Sequence, residues 1–275
     1  MPTPFPRIPA VTSIDEVVDA IEGVIAWSIA NESRLGYFAA LYKRITLAVK
    51  NGISDHQFQD GPRMERLDVT FASRYFAALN GYFHPGDFPA ISHCWRIAFD
   101  GALLPGPIIV QQMLAGVNAH IDLDLGIAAA AVAPGAALPS LQHDFNTINA
   151  VLSSQVATVV EEIDSLSPVL AEIYAVLMNN ELDLIADGLV VTRDSAWFFA
   201  RTLSLEPAFL HPPAIMLHDL EVARVGSLIL HPPLFARIVD VIASRESRDI
   251  VKNIQTLDAI ANAPAPMTAT AAATI

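Results

Sequence analysis

Apolar residues recur at three- and four-residue intervals along most of the chain, the spacing that lines one face of an α-helix. The first stripe is Ile14, Val17, Val18, Ile21, Val24 and Ile25. It is opened by Ser13 with Glu16 three residues on, the pattern of a capping box. Asn31-Glu32-Ser33 interrupts the stripe. A second helix is predicted from about Arg34, with Leu35, Phe38, Ala39, Tyr42, Ile45 and Val49 on one side and a stop at Asn51-Gly52. Asp60-Gly61-Pro62 then leads into a third, across Arg63 to Phe76, whose apolar side is Met64, Leu67, Phe71 and Tyr75. Gly81 to Pro89 reads as a loop, and Ser92 to Arg96 starts a short helix.

Pro105 and Pro107 introduce a central, very apolar helix from Ile108 to about Ala133, which Pro134-Gly135 stops. A long amphipathic helix follows from Asp144 to about Ser165, with Asp144 well placed as its N-cap. Pro168 starts another. A further segment from Glu181 to Asp187 ends at Gly188, and Thr192 to Trp197 opens the next. His211-Pro212-Pro213 and His231-Pro232-Pro233 both look like helix starts with proline in the first turn. No stretch alternates as a strand does. The expected architecture is all-α, a single-domain multi-helix bundle with a buried central helix over residues 13–260. An extended, proline-rich lead-in spans 1–12 and a disordered Ala/Pro/Thr tail spans 261–275.

Composition sharpens this picture. Hydrophobic residues make up 53% of 275 and charged residues 16%, with a mean hydropathy of +0.42. So apolar a chain buries much of itself, and leaves room for an apolar ligand cavity or a homo-oligomer interface. No uninterrupted run reaches the roughly 20 apolar residues of a membrane span. The net charge of −13 argues against nucleic acid and against anionic lipid. One cysteine, Cys94, allows no internal disulfide, and the N-terminus lacks a secretory pattern. A cytoplasmic location is the expectation.

The central helix carries Gly116-Val117-Asn118-Ala119-His120-Ile121-Asp122-Leu123-Asp124. His120 and Asp124 are one turn apart on one face, and an imidazole and a carboxylate so spaced can grip one divalent metal ion. Glu65 and Asp68 are likewise a turn apart, on a helix too apolar to leave both in water without an offsetting cation, proton or metal. Ligands projecting from facing helices are a recurring way to build a metal site in a bundle. No nucleophile elbow, phosphate loop or dinucleotide fingerprint is present. Cys94 beside His93 makes no nucleophile pair, because neighbours on a helix diverge by about 100°. An aspartate-rich prenyl-diphosphate motif is also missing.

Three blocks together resemble the DUF5995 family of uncharacterised bacterial and fungal proteins. They are Arg63-Met64-Glu65-x-Leu67-Asp68-Val69-x-Phe71-Ala72-x-Arg74-Tyr75, Gly116-x-Asn118-Ala119-His120-Ile121-x-Leu123-Asp124-Leu125-Gly126, and Asp144-Phe145-Asn146-x-Ile148-Asn149. Arg193-Asp194-x-Ala196-Trp197 is a weaker fourth. The resemblance spans roughly Leu35 to Leu203 and implies one shared helical domain, with no established reaction. The family often has histidine where Gln112 stands, so one ligand of a two-metal version is missing here, and the metal count stays open.

The expected function is therefore an enzyme acting on a mainly apolar small molecule, by hydrolysis or acid/base cyclisation as in secondary metabolism. Glu65, Asp68, His120 and Asp124 are the expected ligands of a divalent metal (Zn, Mn, Fe or Mg). Asp144 or Asp68 would act as the base, and Arg74, Asn118, Asn146, Trp95 and Gln112 would bind and orient the substrate. The alternative is a non-catalytic carrier of an apolar ligand, in which the polar blocks form a buried structural network.

Overall fold

The computed structural model describes residues 3–148, 166–167 and 181–262. Among them lie ten α-helices and no strand: α1 (Ile14–Ala30), α2 (Leu35–Ser54), α3 (Gly61–Phe83), α4 (His93–Leu103), α5 (Ile109–Val117), α6 (Gly126–Val132), α7 (Glu181–Leu205), α8 (His211–Leu230), α9 (Ala236–Arg245) and α10 (Ile250–Ala261). The chain is all-α, as its periodicity requires.

Local sequence sets several helix starts. Ser13 Oγ accepts from Glu16 N at 3.2 Å, Asp60 caps α3 through Arg63 N, and Ser92 caps α4 through Trp95 N. The capping box at α1 is half formed, because the Glu16 carboxylate turns to the Thr12 backbone N–H and hydroxyl instead of Ser13 N. Pro212 sits in the first turn of α8, where its missing N–H costs nothing. His231-Pro232-Pro233 does not start a helix; it forms a turn closed by Phe235 N donating to Pro232 O, and α9 begins beyond it.

Packing overrides several local stop signals. α2 runs through Asn51-Gly52 to Ser54, with the buried Gly52 beside the Phe58 ring. α3 runs through Gly81 to Phe83, where that glycine lets the Pro89–Ile91 segment lie against the helix. Gly188 does not end a helix either, and α7 is continuous across it. The predicted helices beyond Ile148 and from Pro168 lie outside the described residues, as does the tail from 263. The lead-in is non-helical over its described part and buries Phe5, Ile8 and Val11, with Phe5 stacked on Phe83.

The largest departure is in the central helix. α5 gives way at Asn118 to a π-helix, Asn118–Leu125, before α6 resumes. Such wide-turn insertions are rare and collect at functional sites. α8 supports this one from outside. His218 Nε2 donates to the Asp122 carbonyl at 2.8 Å, and Asn118 Nδ2 donates to the Val222 carbonyl at 2.9 Å. Gly116 and Gly126 flank it. A Cβ at Gly116 would stand 2.5 Å from the Phe38 ring, and one at Gly126 would stand 2.7 Å from the Ala196 carbonyl. Both glycines therefore permit a close approach that any other residue would block.

Two apolar clusters form the interior. One gathers α1, α2, α4, α5, α10 and the C-terminal part of α3 around Ile21, Phe38, Tyr75 and Trp95; the other gathers the N-terminal part of α3, α6 and the Phe145 segment around Met64, Leu67, Leu125 and Leu141. α2, α3 and the π-helix line the space where these clusters meet. Lys43, buried on α2, ties the outer layer by pairing with Glu22 of α1 and Asp258 of α10, each at 3.0 Å. No single described helix is long and apolar enough to cross a membrane. Several large apolar side chains of the C-terminal helices and their connections, including Leu205, Phe209 and Leu234, are exposed.

Candidate active site

A cavity of about 100 Å³ opens between α2, α3 and the π-helix. Its walls are almost wholly apolar, from Leu41, Ile45, Val49, Met64, Leu67 and Ile121 among others. Three ionisable groups interrupt them: Asp68, His120 and Arg193. Tyr42 also lines it.

His120 is only 2% exposed and is held by aromatic rings. Phe71 stacks parallel on the imidazole at 3.5 Å, and Tyr42 meets it edge-on at 4.6 Å. Phe38, Tyr75 and Trp95 close the remaining sides. Asp68 stands one helical turn before Phe71 on α3, which brings its carboxyl to the same cavity as the imidazole.

Behind the imidazole sits Asp124. His120 Nδ1 makes a long, 3.4 Å hydrogen bond to Asp124 Oδ2. Trp95 Nε1 donates to the same oxygen at 2.7 Å, and Arg74 Nε donates to Oδ1 at 2.6 Å. This carboxylate is buried, which alone would raise its pKa; the Arg74 charge, with His120 and Trp95, outweighs burial and holds it below the ordinary range. Asp124 is therefore an anion, His120 Nδ1 carries the proton, and Nε2 is left as an acceptor. Nε2 is buried with no hydrogen-bond partner among the described residues.

The two cavity groups are shifted in opposite directions. Burial pushes the His120 imidazole below its ordinary value, and the pull of Asp124 only partly restores it. Burial raises the Asp68 carboxyl to about 7, with the nearby Glu65 charge adding to the effect. Asp68 Oδ2 is also buried without a partner among the described residues. At neutral pH the cavity thus holds a neutral imidazole acting as acceptor and a carboxyl that is partly protonated. Environments that move paired groups this way mark acid/base assignments. Burial, reinforced by Asp68, raises the Tyr42 phenol well above its ordinary value, so it remains a neutral O–H beside the Thr46 hydroxyl.

The expected four-ligand metal set is not assembled as one cluster. Both oxygens of Asp124 are engaged as described, and Glu65 Oε1 accepts from Ile14 N at the start of α1. Among the described residues no group of three or more His, Cys, Asp and Glu side chains is arranged to hold a metal ion. The two remaining donors, Asp68 and His120, do share the cavity.

The other expected site residues divide by position. Arg74 and Trp95 act through Asp124 and do not line the cavity. Asp144 is fully buried elsewhere. It accepts from Gln59 N, Asp60 N and Arg63 Nη2, anchoring the segment before α3 from inside a helical turn and not as an N-cap. It is not brought to the cavity. Asn118 faces α8, Gln112 bonds to the Pro107 carbonyl, and Asn146 is exposed. Asn149 lies outside the described residues.

Sequence reasoning passed over Tyr42, Phe71 and Arg193. Phe71 and Arg193 stand within the blocks quoted above, but an aromatic on a buried stripe reads as ordinary core. Arg193 is buried, donates to the Phe145 carbonyl at 2.6 Å, and lies 4.4 Å from the Phe145 ring centre. It brings a positive charge to the far wall of the cavity.

DUF5995, described as a family of unknown function, matches residues 14–232, which include the cavity and every group around it. No curated protein and no solved structure matches the chain.

Proposed function

We propose that this chain, which belongs to the DUF5995 family, is an enzyme that moves protons on a small, mainly apolar substrate. His120 Nε2 is the base and the Asp68 carboxyl is the acid. One observation carries this reading: a buried acceptor and a buried carboxyl oxygen without partners among the described residues, His120 Nε2 and Asp68 Oδ2, belong to residues lining the same apolar cavity, with the equally unpartnered Tyr42 hydroxyl beside them. A buried acceptor left unpaired costs the fold about 1–3 kcal/mol, so such an atom is retained where something else uses it.

The chemistry follows from the pair. A base and an acid lining one apolar cavity suit proton abstraction beside a carbonyl with proton return elsewhere, the elementary steps of isomerisation and acid/base cyclisation. Asp124, fixed by Arg74 and Trp95, positions the imidazole and stabilises it when it takes the proton, as carboxylates do behind catalytic histidines. The Arg193 charge favours the enolate oxygen that forms. At about 100 Å³ the cavity is smaller than one of about 150 Å³ that takes benzene, so its substrate is small and a ring would project through the open mouth.

Deuterium incorporation tests the reading. Cyclohexanone incubated with the protein in heavy water should exchange its α-hydrogens faster than in buffer, and His120→Ala and Asp68→Asn should each lower that rate at least about 100-fold. Equal exchange in wild type and in both folded variants would remove the proposal. The apolar walls also favour the carrier reading. That reading gains if cyclohexanone binds saturably to wild type and to His120→Ala alike with no exchange in either.

A further inference from the structure

A second cavity, also of about 100 Å³, has the opposite character. It lies among the start of α2, the lead-in to α5, the end of α9 and the start of α10, and is lined by Arg34, Tyr37, Gln112, Glu246, Ser247 and Arg248 beside the Pro105–Pro107 turn. Neither the acid/base pair nor any group that positions it takes part here.

Its polar groups are unevenly satisfied. Gln112 is only 6% exposed; its Nε2 donates to Pro107 O at 3.1 Å, while its Oε1 is buried without a partner among the described residues. Glu246 Oε2 accepts from Ile109 N at 2.9 Å, and Ser167 and Arg34 lie near that carboxyl. Arg34 is half-buried, and no ion pair or side-chain hydrogen bond engages its guanidinium among the described residues. Arg248 stands at the exposed rim, and Tyr37 Oη accepts from Asn253, leaving its O–H to donate. The cavity thus holds a cation and a hydroxyl donor together with an amide oxygen and a carboxyl as acceptors.

A simple anion would answer Arg34 but leave Gln112 Oε1 unpaired and lie close to Glu246. A simple amine would answer the acceptors but face Arg34. One small molecule carrying both groups answers the cation and the acceptors together. We propose that this cavity is a binding site for a small free α-amino acid, its carboxylate on Arg34 and its ammonium on Gln112 Oε1 and Glu246.

Thermal denaturation of the full chain with glycine, L-alanine or L-serine tests this, with acetate and ethylamine as single-group controls. At least one amino acid should raise the midpoint saturably, by about 5–10 °C at about a hundred times its Kd. Acetate and ethylamine at the same concentration should do far less. Gln112→Leu should abolish the shift while keeping a cooperative melt; where that variant fails to fold, Arg34→Gln provides the same comparison. No shift from any of the three at up to about 10 mM, well above a Kd of ~1 mM, would overturn the proposal. So would an acetate shift equal to that of the amino acids, or an undiminished shift in a folded Gln112→Leu protein.

Discussion

Replacing Asp68 by asparagine should change how stability depends on pH, and the size of the change follows from where the carboxyl sits. Its ordinary value is near 3.8, and burial with the Glu65 charge raises it to about 7 in the folded protein. A carboxyl raised on folding supports the native state fully below its unfolded value, and that support is lost as pH climbs through the folded value. Between about pH 4 and pH 7 the native state holds this proton more tightly than the unfolded chain, so wild-type stability should fall across that window. The interval from 3.8 to about 7 corresponds to about 4 kcal/mol, or roughly 10 °C of midpoint for a chain of this size. A carboxamide cannot ionise, so the Asp68→Asn variant lacks this slope. The new amide has unmet hydrogen-bond needs of its own, so the constant offset between the proteins is not the readout. Urea or thermal melts of both, from about pH 4 to about pH 8, should show the variant gaining on wild type by about 4 kcal/mol as pH rises. Parallel stability curves would refute the reasoning, because Asp68 would then ionise as it does in water.

Other perturbations separate the site from its supports. Arg74→Met leaves the buried Asp124 carboxylate short of its cation and should cost about 3–5 kcal/mol in denaturant unfolding. Gly116→Ala drives a methyl into the Phe38 ring and should destabilise by about 1–3 kcal/mol, with a crystal structure of the variant showing Phe38 displaced. Asp144→Ala frees Gln59, Asp60 and Arg63 and should lower the melting midpoint by several degrees, about 2–4 kcal/mol, yet leave cyclohexanone exchange unchanged in the folded fraction.

Much of the fold was legible because helices announce themselves locally. The stripe from Ile14 to Ile25 and the caps at Ser13, Asp60 and Ser92 specify element type and starting point with little help from the rest of the chain. Helix ends were less legible. Gly52, Gly81 and Gly188 look like stops, yet each lies inside a helix; at Gly52 and Gly81 tertiary packing outweighs a penalty of about 1 kcal/mol per glycine. The π-helix was not legible at all. Its hydrogen bonds to α8 run to His218 and Val222, about a hundred positions away, and no local pattern records them.

The candidate site was half visible for a similar reason. Spacing put His120 and Asp124 on one face, and the apolar setting of Asp68 signalled a carboxyl in need of a partner or a proton. Spacing does not tell a metal ligand from a hydrogen-bond acceptor. That distinction lies in Arg74 and Trp95 reaching Asp124 from other helices, and in Glu65 turning to the start of α1. Asp144 illustrates the converse. A carboxylate in a recurring block reads as chemistry, but its three donors all come from the segment leading into α3 and the first turn of that helix, and they give it a structural task.

The central claim is that His120 presents an unprotonated Nε2 to the apolar cavity while Asp124 holds the proton on Nδ1. Nitrogen-15 NMR of the labelled imidazole, followed through a pH titration and assigned with His120→Ala, reads this directly. The account predicts the neutral Nδ1–H form at neutral pH, persisting below the ordinary histidine value near 6.5. An imidazolium at neutral pH, or a neutral ring with the proton on Nε2, would contradict it.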